Sequence, residues 1–523
     1  MIVSYRVKNL RAIIDTGDIV LKKINVIVGR NSSGKSTILR ALPLLRQSVE
    51  QATKGPVLWY GRLVDFGSFK NASRGGDIKR GVELSFSFYL PPRRIAGPRP
   101  FVQRSKLGAL FVSPKSGLRG RISISLGRSE TDSVGDIKKI EISIGNDLVK
   151  IIYAASGIVS EISVGSRQVI LGDNRQWLVT KGQLIPGIEV VEREYVSFDE
   201  ESDPVSFWEA REDPFLVEVI EAVAGLVHGN TSSERLHSMA SRLAYGDSAG
   251  FYEQLLDTPG APPAFRHNVG NLSEDSTEIQ VLRRAVLLNK LSPLLRTIDE
   301  ELGVFAKSVR YIEPIRATAE RYYRQQDLAV DDIDSRGTNT AMFLNSLPED
   351  ELAQLQTWMT TNLGFYVHID SSAGHVELKI EDGHGVSRNI ADLGFGYSQM
   401  LPIIIQLWTG LQRKKGVDFE VVAIEQPELH LHPHYQALLA DLMALTASSS
   451  RSRGRIRIVV ETHSDHFVNE LGTLVASGKL NARDVQVIVV QDSDDGSVVR
   501  VCNFDEDGLF DKNWPAGFFN SAS

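Results

Sequence analysis

The sequence predicts an α/β fold that contains a mixed sheet, an antiparallel β lobe and a helical insertion. Residues 24–28 (INVIV) are apolar except for Asn25 and run into a glycine-rich loop and an apolar helix. Short alternating segments such as VELSFSFYL and KKIEISIG follow, and helical periodicity then dominates. We therefore divide the chain into an N-terminal part with the β lobe (1–200), a helical insertion (204–365) and the C-terminal part of the α/β domain (366–523).

Length, charge and cysteine content limit the class of protein. With 523 residues and 42% hydrophobic content the chain can bury a large core, and its net charge of -7 argues against coating nucleic acid over its whole surface. Cys502 is the single cysteine, which excludes an internal disulfide framework. The first residues lack a secretory leader, and no apolar run reaches the roughly 20 residues of a membrane helix. We therefore expect a soluble cytoplasmic protein without a membrane partner.

The loop after residue 28 has the pattern GxxxxGK[ST], which is typical of a phosphate-binding loop. In such a loop successive backbone N–H groups and the positive end of the next helix face the phosphates. Lys35 would span the β- and γ-phosphates, and the Ser36 hydroxyl would bind Mg²⁺. A simple glycine turn is the alternative. The pattern predicts ATP and Mg²⁺ as cofactors, with the nucleotide bound by Gly29, Asn31, Ser33, Gly34, Lys35, Ser36 and Thr37.

A second glycine-rich segment, DLGFGYSQ at 392–399, precedes the apolar helix MLPIIIQLW. Glycines and a serine at a helix start form an anion site, and one chain has no obvious second triphosphate for it. The segment resembles the signature loop of ABC-class ATPases, which reaches across a dimer to the nucleotide of the other subunit. A glycine-rich helix cap is the alternative. The predicted contributors are Gly394, Gly396, Ser398 and Gln399.

Two buried strands farther along end in polar residues. VVAIEQPE places Glu425 at a strand end, the Walker B arrangement in which a carboxylate holds Mg²⁺ together with Ser36. IRIVVETHS places His463 where ABC-class heads have the switch histidine that contacts the γ-phosphate. Glu425 follows Gly394 by 31 residues and His463 follows Glu425 by 38. The order of the four elements predicts an ABC-type P-loop ATPase head.

The strings EQPELHLHP and THSDHF, the ending NWPAGFF and the central segment YIEPIR with RYY resemble the stand-alone bacterial ABC-class AAA-type ATPases related to the OLD proteins. The likeness covers about residues 1–80 and 305–520. It implies two heads that sandwich ATP, in a homodimer or higher homo-oligomer. It also implies a partner effector, a nuclease of anti-phage systems of the Septu, Gabija and retron kind.

The chain departs from hydrolysing ABC-class heads at Gln426, where those proteins carry a catalytic glutamate. A carboxamide cannot accept a proton from water, and loss of a general base costs about 10²- to 10⁴-fold in rate. We therefore expect slow hydrolysis and a long-lived ATP-bound dimer. Gln426 could still orient water, and Glu428 could substitute as the base if the turn at Pro427 brings it close.

Rival interpretations remain open. OLD proteins carry a nuclease domain with a strand-end glutamate and a DxD pair, which Glu461, Asp492 and Asp494 match superficially. His430, His432 and His434 could form a metal cluster on an extended segment.

The 390-residue gap from Lys35 to Glu425 is a poor fit to a transporter ATPase. An SMC-like DNA clamp without a nuclease is the other alternative. The sequence shows no sustained heptad repeat like that of the long coiled-coil arms of SMC proteins. The stretch from Arg93 to Arg128 is basic and without acidic residues, so it could meet nucleic acid or an acidic partner.

Overall fold

The computed structural model describes residues 1–91, 117–127, 135–154, 157–171, 175–196, 205–209, 214–326, 330, 332–372, 374–382, 385–412, 419–450, 452 and 454–515. Most of the basic stretch between Arg93 and Arg128 lies outside these ranges, as do residues 516–519 of the C-terminal motif. No helix within these ranges is long and apolar enough to cross a membrane.

The strands of the described residues are, in chain order, β1 Ile2–Leu10, β2 Ile13–Asp15, β3 Ile19–Val20, β4 Ile24–Gly29, β5 Val82–Leu90, β6 Leu118–Gly127, β7 Asp136–Ile144, β8 Asp147–Tyr153, β9 Val159–Val164, β10 Arg167–Val169, β11 Arg175–Thr180, β12 Gly187–Val196, β13 Val205–Glu209, β14 Val309–Ile312, β15 Tyr323–Arg324, β16 Phe365–Ser372, β17 His375–Asp382, β18 Ser387–Asn389, β19 Glu420–Glu425, β20 Ile456–Glu461, β21 Val485–Ser493 and β22 Gly496–Cys502.

The α-helices of the described residues are α1 Lys35–Glu50, α2 Phe69–Ala72, α3 Pro214–Ala224, α4 Ser233–Arg242, α5 Ser248–Leu256, α6 Pro263–Gly270, α7 Thr277–Asn289, α8 Leu291–Lys307, α9 Thr340–Ser346, α10 Glu349–Leu363, α11 Phe395–Gln412, α12 Pro433–Ser448 and α13 Asp465–Ala476.

The chain forms two compact units. The P-loop unit comprises Arg6–Ala52, Leu58–Asp77 and Phe305–Ser523. Its main sheet has the strand order β1-β2-β22-β21-β4-β20-β19-β14. The pairs β21–β4, β4–β20, β20–β19 and β19–β14 are parallel, whereas β1–β2 and β21–β22 are antiparallel. The predicted α/β class with a mixed sheet is confirmed.

The centre of this sheet explains the apolar sequence runs. All six residues of β4 and all six of β19 are buried, as expected for parallel strands covered on both faces. Helix α1 buries Ile38, Leu42 and Leu45, which lie at the spacing of one helix face. Strand β4 lies between β21 and β20, and its C-terminal end leads into the phosphate loop.

The lobe unit comprises Met1–Tyr5, Thr53–Val57 and Ile78–Val304. Strands β5 to β10 form an antiparallel meander in which each strand pairs with the next. A smaller antiparallel sheet contains β11, β12 and β13. Helices α3 to α7 and most of α8 belong to the same unit. The predicted antiparallel β lobe is therefore present.

The boundaries of the two units differ from the predicted division into 1–200, 204–365 and 366–523. The helices up to Val304 belong to the lobe unit together with its strands, and the P-loop unit resumes at Phe305. The reason is β14, which pairs in parallel with β19 and so belongs to the main sheet of the P-loop unit. Hydrophobic periodicity identified the helices but carried no information about this pairing.

Candidate nucleotide site

The phosphate loop links the end of β4 to the start of α1, and two of its glycines are required by their surroundings. A Cβ on Gly29 would lie 2.5 Å from the carbonyl oxygen of Val490 on β21. Gly34 has φ +93°, and a Cβ there would lie 2.8 Å from Ile13 Cδ1. Close backbone approach and a left-handed conformation both favour glycine, so the loop keeps a tight path into the helix.

The polar residues of the loop take three kinds of position. Asn31 is exposed, whereas Ser33 is buried and its hydroxyl has no hydrogen-bond partner among the described residues. Lys35 Nζ donates to the carbonyl oxygen of Arg30 at 2.6 Å, within the loop itself. Thr37 N donates to the Gly34 carbonyl at 3.0 Å, which closes the first turn of α1. The lysine ammonium and the N-terminus of a four-turn helix thus lie together at the loop.

The carboxylate that meets the loop is Glu461, at the end of β20. Ser36 Oγ donates to Glu461 Oε1 at 2.9 Å. Glu461 Oε2 is buried and has no hydrogen-bond partner among the described residues. Burial, together with the nearby charge of Glu425, raises the pKa of Glu461 to about 7. Mg²⁺ prefers oxygen ligands, so a serine hydroxyl beside an unsatisfied carboxylate oxygen fits this cation.

Glu425, the predicted Walker B acid, lies one strand farther from the loop and is already paired. Arg40 of α1 donates to both of its oxygens, through Nε and Nη2, each at 2.7 Å. The Tyr311 hydroxyl of β14 donates to Glu425 Oε1 at 2.7 Å. Burial and the Glu425 charge raise the pKa of Tyr311 above its ordinary value. Glu425 is thus the acceptor of three hydrogen bonds inside the unit.

The backbone after Glu425 is held in an unusual conformation. Gln426 has φ +41°, in the left-handed region that residues with a Cβ rarely adopt. Its N–H donates to the carbonyl oxygen of Glu461 at 2.8 Å. Arg316 Nη2 donates to the carbonyl oxygens of Glu425 at 3.0 Å and Gln426 at 3.3 Å. Burial lowers the pKa of Arg316 to about 10.

Glu428 and His463 are brought together by the turns that follow β19 and β20. Glu428 Oε1 accepts from the His463 backbone N–H at 2.7 Å, and Oε2 accepts from Thr462 Oγ1 at 2.8 Å. Burial raises the pKa of Glu428. Desolvation and the neighbouring Lys35 ammonium lower the pKa of His463, which favours the neutral imidazole. The predicted switch histidine and the possible substitute base therefore lie in two hydrogen-bonded turns near Lys35.

The predicted signature residues lie at the start of α11. Gly394 has φ +77°, and Phe395, the first residue of the helix, is 57% exposed and lies against the His430 ring at a centroid distance of 5.9 Å. Ser398 Oγ donates to the Phe395 carbonyl at 2.8 Å. Gln399 exchanges two 3.3 Å hydrogen bonds with the backbone of Arg316. Gly394 and Phe395 are exposed and Gly396 is half-buried, whereas Ser398 and Gln399 are buried.

The histidines proposed as a metal cluster make other contacts. His432 caps α12 by accepting from the His434 N–H at 3.3 Å, while His430 contacts Phe395. Asp494 lies in the tight turn between β21 and β22, where Ser493 pairs with Gly496. Within the described ranges, no group of three or more His, Cys, Asp or Glu side chains is arranged to hold a metal ion.

Two family models match parts of the chain. Residues 24–154 match the model described as "AAA domain, putative AbiEii toxin, Type IV TA system", and residues 271–468 match the model described as "AAA ATPase domain". The first match includes the phosphate loop, and the second includes Glu425, Glu461 and His463. Together the two matches cover the phosphate loop and both strand-end acids. No curated protein matches the chain.

Solved structures similar to the chain include heads of SMC proteins. The Smc head domain with an extended coiled coil, bound to the C-terminal domain of ScpA, from Pyrococcus furiosus is 10% identical, with 96% of each chain covered and a TM-score of 0.32. The SMC head domain from Thermotoga maritima is 8% identical, with 95% of this chain and 98% of that chain covered and a TM-score of 0.35. The fold assignment rests on the strand order of the P-loop unit.

Sequence reasoning identified the loop, the two strand ends and the signature segment, but it missed three partners. Arg40, Tyr311 and Arg316 each contact Glu425 or its backbone. Tyr311 and Arg316 belong to the segment YIEPIR, which resembles the OLD-related proteins but predicts no role for either residue. The sequence places Glu461 in the turn of the switch histidine and predicts a metal role for it only in the rival nuclease site. The detectable signal was a second buried strand that ends in an acid.

Proposed function

We propose that the chain binds ATP together with Mg²⁺ at residues 29–37 and hydrolyses the nucleotide slowly. The observation that supports this most directly is the joint position of Lys35, Ser36 and Glu461 at the start of α1. Free N–H groups and the positive helix end attract phosphate. Lys35 would exchange the Arg30 carbonyl for phosphate oxygens.

The residues of the phosphate loop have different roles in nucleotide binding. Gly29, Gly34 and Thr37 keep the loop tight and the first turn closed, while Asn31 and Ser33 border the phosphates. Mg²⁺ would be held at Ser36 with a strand-end carboxylate, and it would neutralise charge on the phosphates. His463, neutral and close to Lys35, would contact the terminal phosphate.

A nucleotide-binding assay tests this proposal. The wild type should bind a fluorescent ATP analogue, and Lys35→Ala should weaken binding by at least about tenfold, because Lys35 is the loop cation facing the phosphates. Lys23→Ala is the matched control, since Lys23 pairs with Asp484 at 2.8 Å and lies outside the loop. Wild type that does not bind the analogue, or equal losses in the two variants, would refute the proposal.

Slow hydrolysis follows from Gln426, which has no carboxylate to accept a proton. Gln426→Glu should raise turnover by about 10²-fold or more if the new side chain reaches the attacking water. Glu428→Gln should lower the slow wild-type rate if Glu428 serves as the substitute base. Turnover of Gln426→Glu no faster than that of the wild type would show that this position does not limit hydrolysis.

The signature segment supports a dimer closed by nucleotide. In this arrangement the turn at Gly394 and Gly396 of one copy faces the nucleotide held by another, while the buried Ser398 and Gln399 hold this turn in place. Binding energy then becomes closure of the pair. Light scattering should show a monomer-to-dimer shift with ATP in the slowly hydrolysing wild type. Gly396→Glu should prevent the shift because the added charge would repel phosphate, and it should leave nucleotide affinity unchanged at protein concentrations too low for dimerisation.

The biological role we propose is control of a partner effector by this ATP-driven closure, with a nuclease in anti-phage defence as the partner. The likeness to the OLD-related ATPases supports it. The position of Asp494 in a hairpin turn favours a separate effector over a nuclease site within this chain. DNA cleavage that appears only with a co-purified neighbour would support the role. Cleavage by the isolated chain would refute it, and salt-dependent DNA binding without any effector would favour a clamp.

A further inference from the structure

We infer that Glu461, at the end of β20, is the carboxylate that faces Mg²⁺ beside Ser36, and that Glu425 is reserved for Arg40. This inference rests on the proposed function and specifies which strand supplies the acid. It departs from the order of motifs in the sequence, in which Glu425 holds the Walker B position. Three independent features of the P-loop unit support it.

The order of strands places Glu461 nearer to the loop. Strand β20 pairs directly with β4, with Glu461 opposite Ile27, whereas β19 pairs with β20 and places Glu425 opposite Glu461. Neighbouring strands are about 4.8 Å apart, so the backbone of Glu425 lies about 10 Å from β4 and that of Glu461 half as far. Glu461 therefore starts from the closer position.

Hydrogen bonding distinguishes the two acids in the same way. Glu461 Oε1 already accepts from Ser36 at 2.9 Å, and Oε2 is buried without a partner. A buried acceptor without a partner is unfavourable unless something satisfies it. A cation held at Ser36 would satisfy this oxygen without breaking any contact seen in the unit.

Glu425 has no comparable free capacity. Its two oxygens accept from Arg40, and Oε1 also accepts from Tyr311. Turning Glu425 toward a cation at Ser36 would remove the charge partner of Arg40 and leave the Tyr311 hydroxyl buried without an acceptor. Separating such a pair is strongly unfavourable when one partner is buried. Glu425 thus serves to fix α1 against β19 and β14.

The test measures how much Mg²⁺ tightens the binding of a fluorescent ATP analogue, as the ratio of Kd in EDTA to Kd in Mg²⁺. Glu461→Gln should reduce this ratio by about tenfold or more, in the range seen when groups that support a metal site are removed. Glu425→Gln is the matched control and should keep the wild-type ratio. Binding in EDTA reports whether each variant is folded and still holds nucleotide.

Glu461→Cys provides a second readout that does not depend on loss of function. A thiolate prefers soft metals, so Cd²⁺ should restore tight binding in this variant while Mg²⁺ should not. The sequence has one other cysteine, Cys502, which is buried. Glu425→Cys should show no such exchange of metal preference.

The outcomes separate the two levels of the proposal. A wild type that does not bind the analogue at all overturns the proposed function. Wild-type binding that does not respond to Mg²⁺ overturns the Mg²⁺ part of the proposed function and, with it, the assignment of Glu461. An unchanged ratio in Glu461→Gln, or an equal loss in Glu425→Gln, overturns the assignment of Glu461 alone. Loss confined to Glu461→Gln, or Cd²⁺ rescue confined to Glu461→Cys, supports it.

Discussion

Replacing Arg40 by Met should lower the free energy of unfolding of the P-loop unit by about 3 kcal/mol. Removing one partner of a buried ion pair costs about 3–5 kcal/mol, because the remaining charge is left without a counterion. The Glu425 side chain is 2% exposed and that of Arg40 is 29% exposed, so the lower end of this range applies. Met conserves much of the side-chain volume, which confines the effect to the lost charge and hydrogen bonds.

Hydrogen exchange of amides in β4 and β19 is the suitable assay, because a chain with two units need not unfold in one step. The expected loss corresponds to exchange on the order of a hundredfold faster in Arg40→Met. Glu425→Gln should cost less, and Arg40→Met combined with Glu425→Gln should cost clearly less than the sum of the single changes. Strictly additive effects, within about 0.5 kcal/mol, would refute the pairing.

Two further predictions concern other carboxylates. Burial would raise the pKa of Asp334, but hydrogen bonds from Thr338, Arg336 and Asn339 outweigh it and lower that pKa. The stabilisation is then complete above the unfolded value near pH 4 and is lost as pH falls through the lower folded value. Asp334→Asn should therefore lower the melting temperature at pH 7 more than at pH 3, and an equal loss at both would contradict this. Asp147→Asn should destabilise the lobe unit by about 3 kcal/mol, because Asp147 pairs with buried Arg283 at 2.6 Å. Hydrogen exchange measures this loss, and Asp275→Asn, at an exposed position, should have no effect. Equal losses in the two variants would contradict the reasoning.

Local patterns were enough to predict the elements of the phosphate-binding region. The run INVIV, the glycines of the loop and the apolar face of the next helix each depend on residues close in sequence, so β4, the loop and α1 could be predicted from them. Gly29 is an instructive exception. Its pattern was recognised, but the reason for it is the carbonyl of Val490, which is distant in sequence.

The order of strands could not be predicted from these patterns. Both VVAIE and IRIVVE are buried strands that end in an acid, and nothing local says which one pairs with β4. Motif order favoured Glu425 as the partner of Ser36, whereas the hydrogen bond is made by Glu461. The parts played by Arg40 and Tyr311 also depend on sheet order, because both side chains meet Glu425 across elements distant in sequence.

The position of β4 has a consequence for biosynthesis. Its two neighbours in the sheet, β20 and β21, begin at Ile456 and Val485, more than 400 residues after Gly29. At about 5–20 residues per second, translation leaves this mostly apolar strand without its native neighbours for roughly 20 to 90 s. A nascent chain with such an unpaired segment is prone to aggregate, so we expect the yield of folded protein to depend on chaperones that shield it during synthesis.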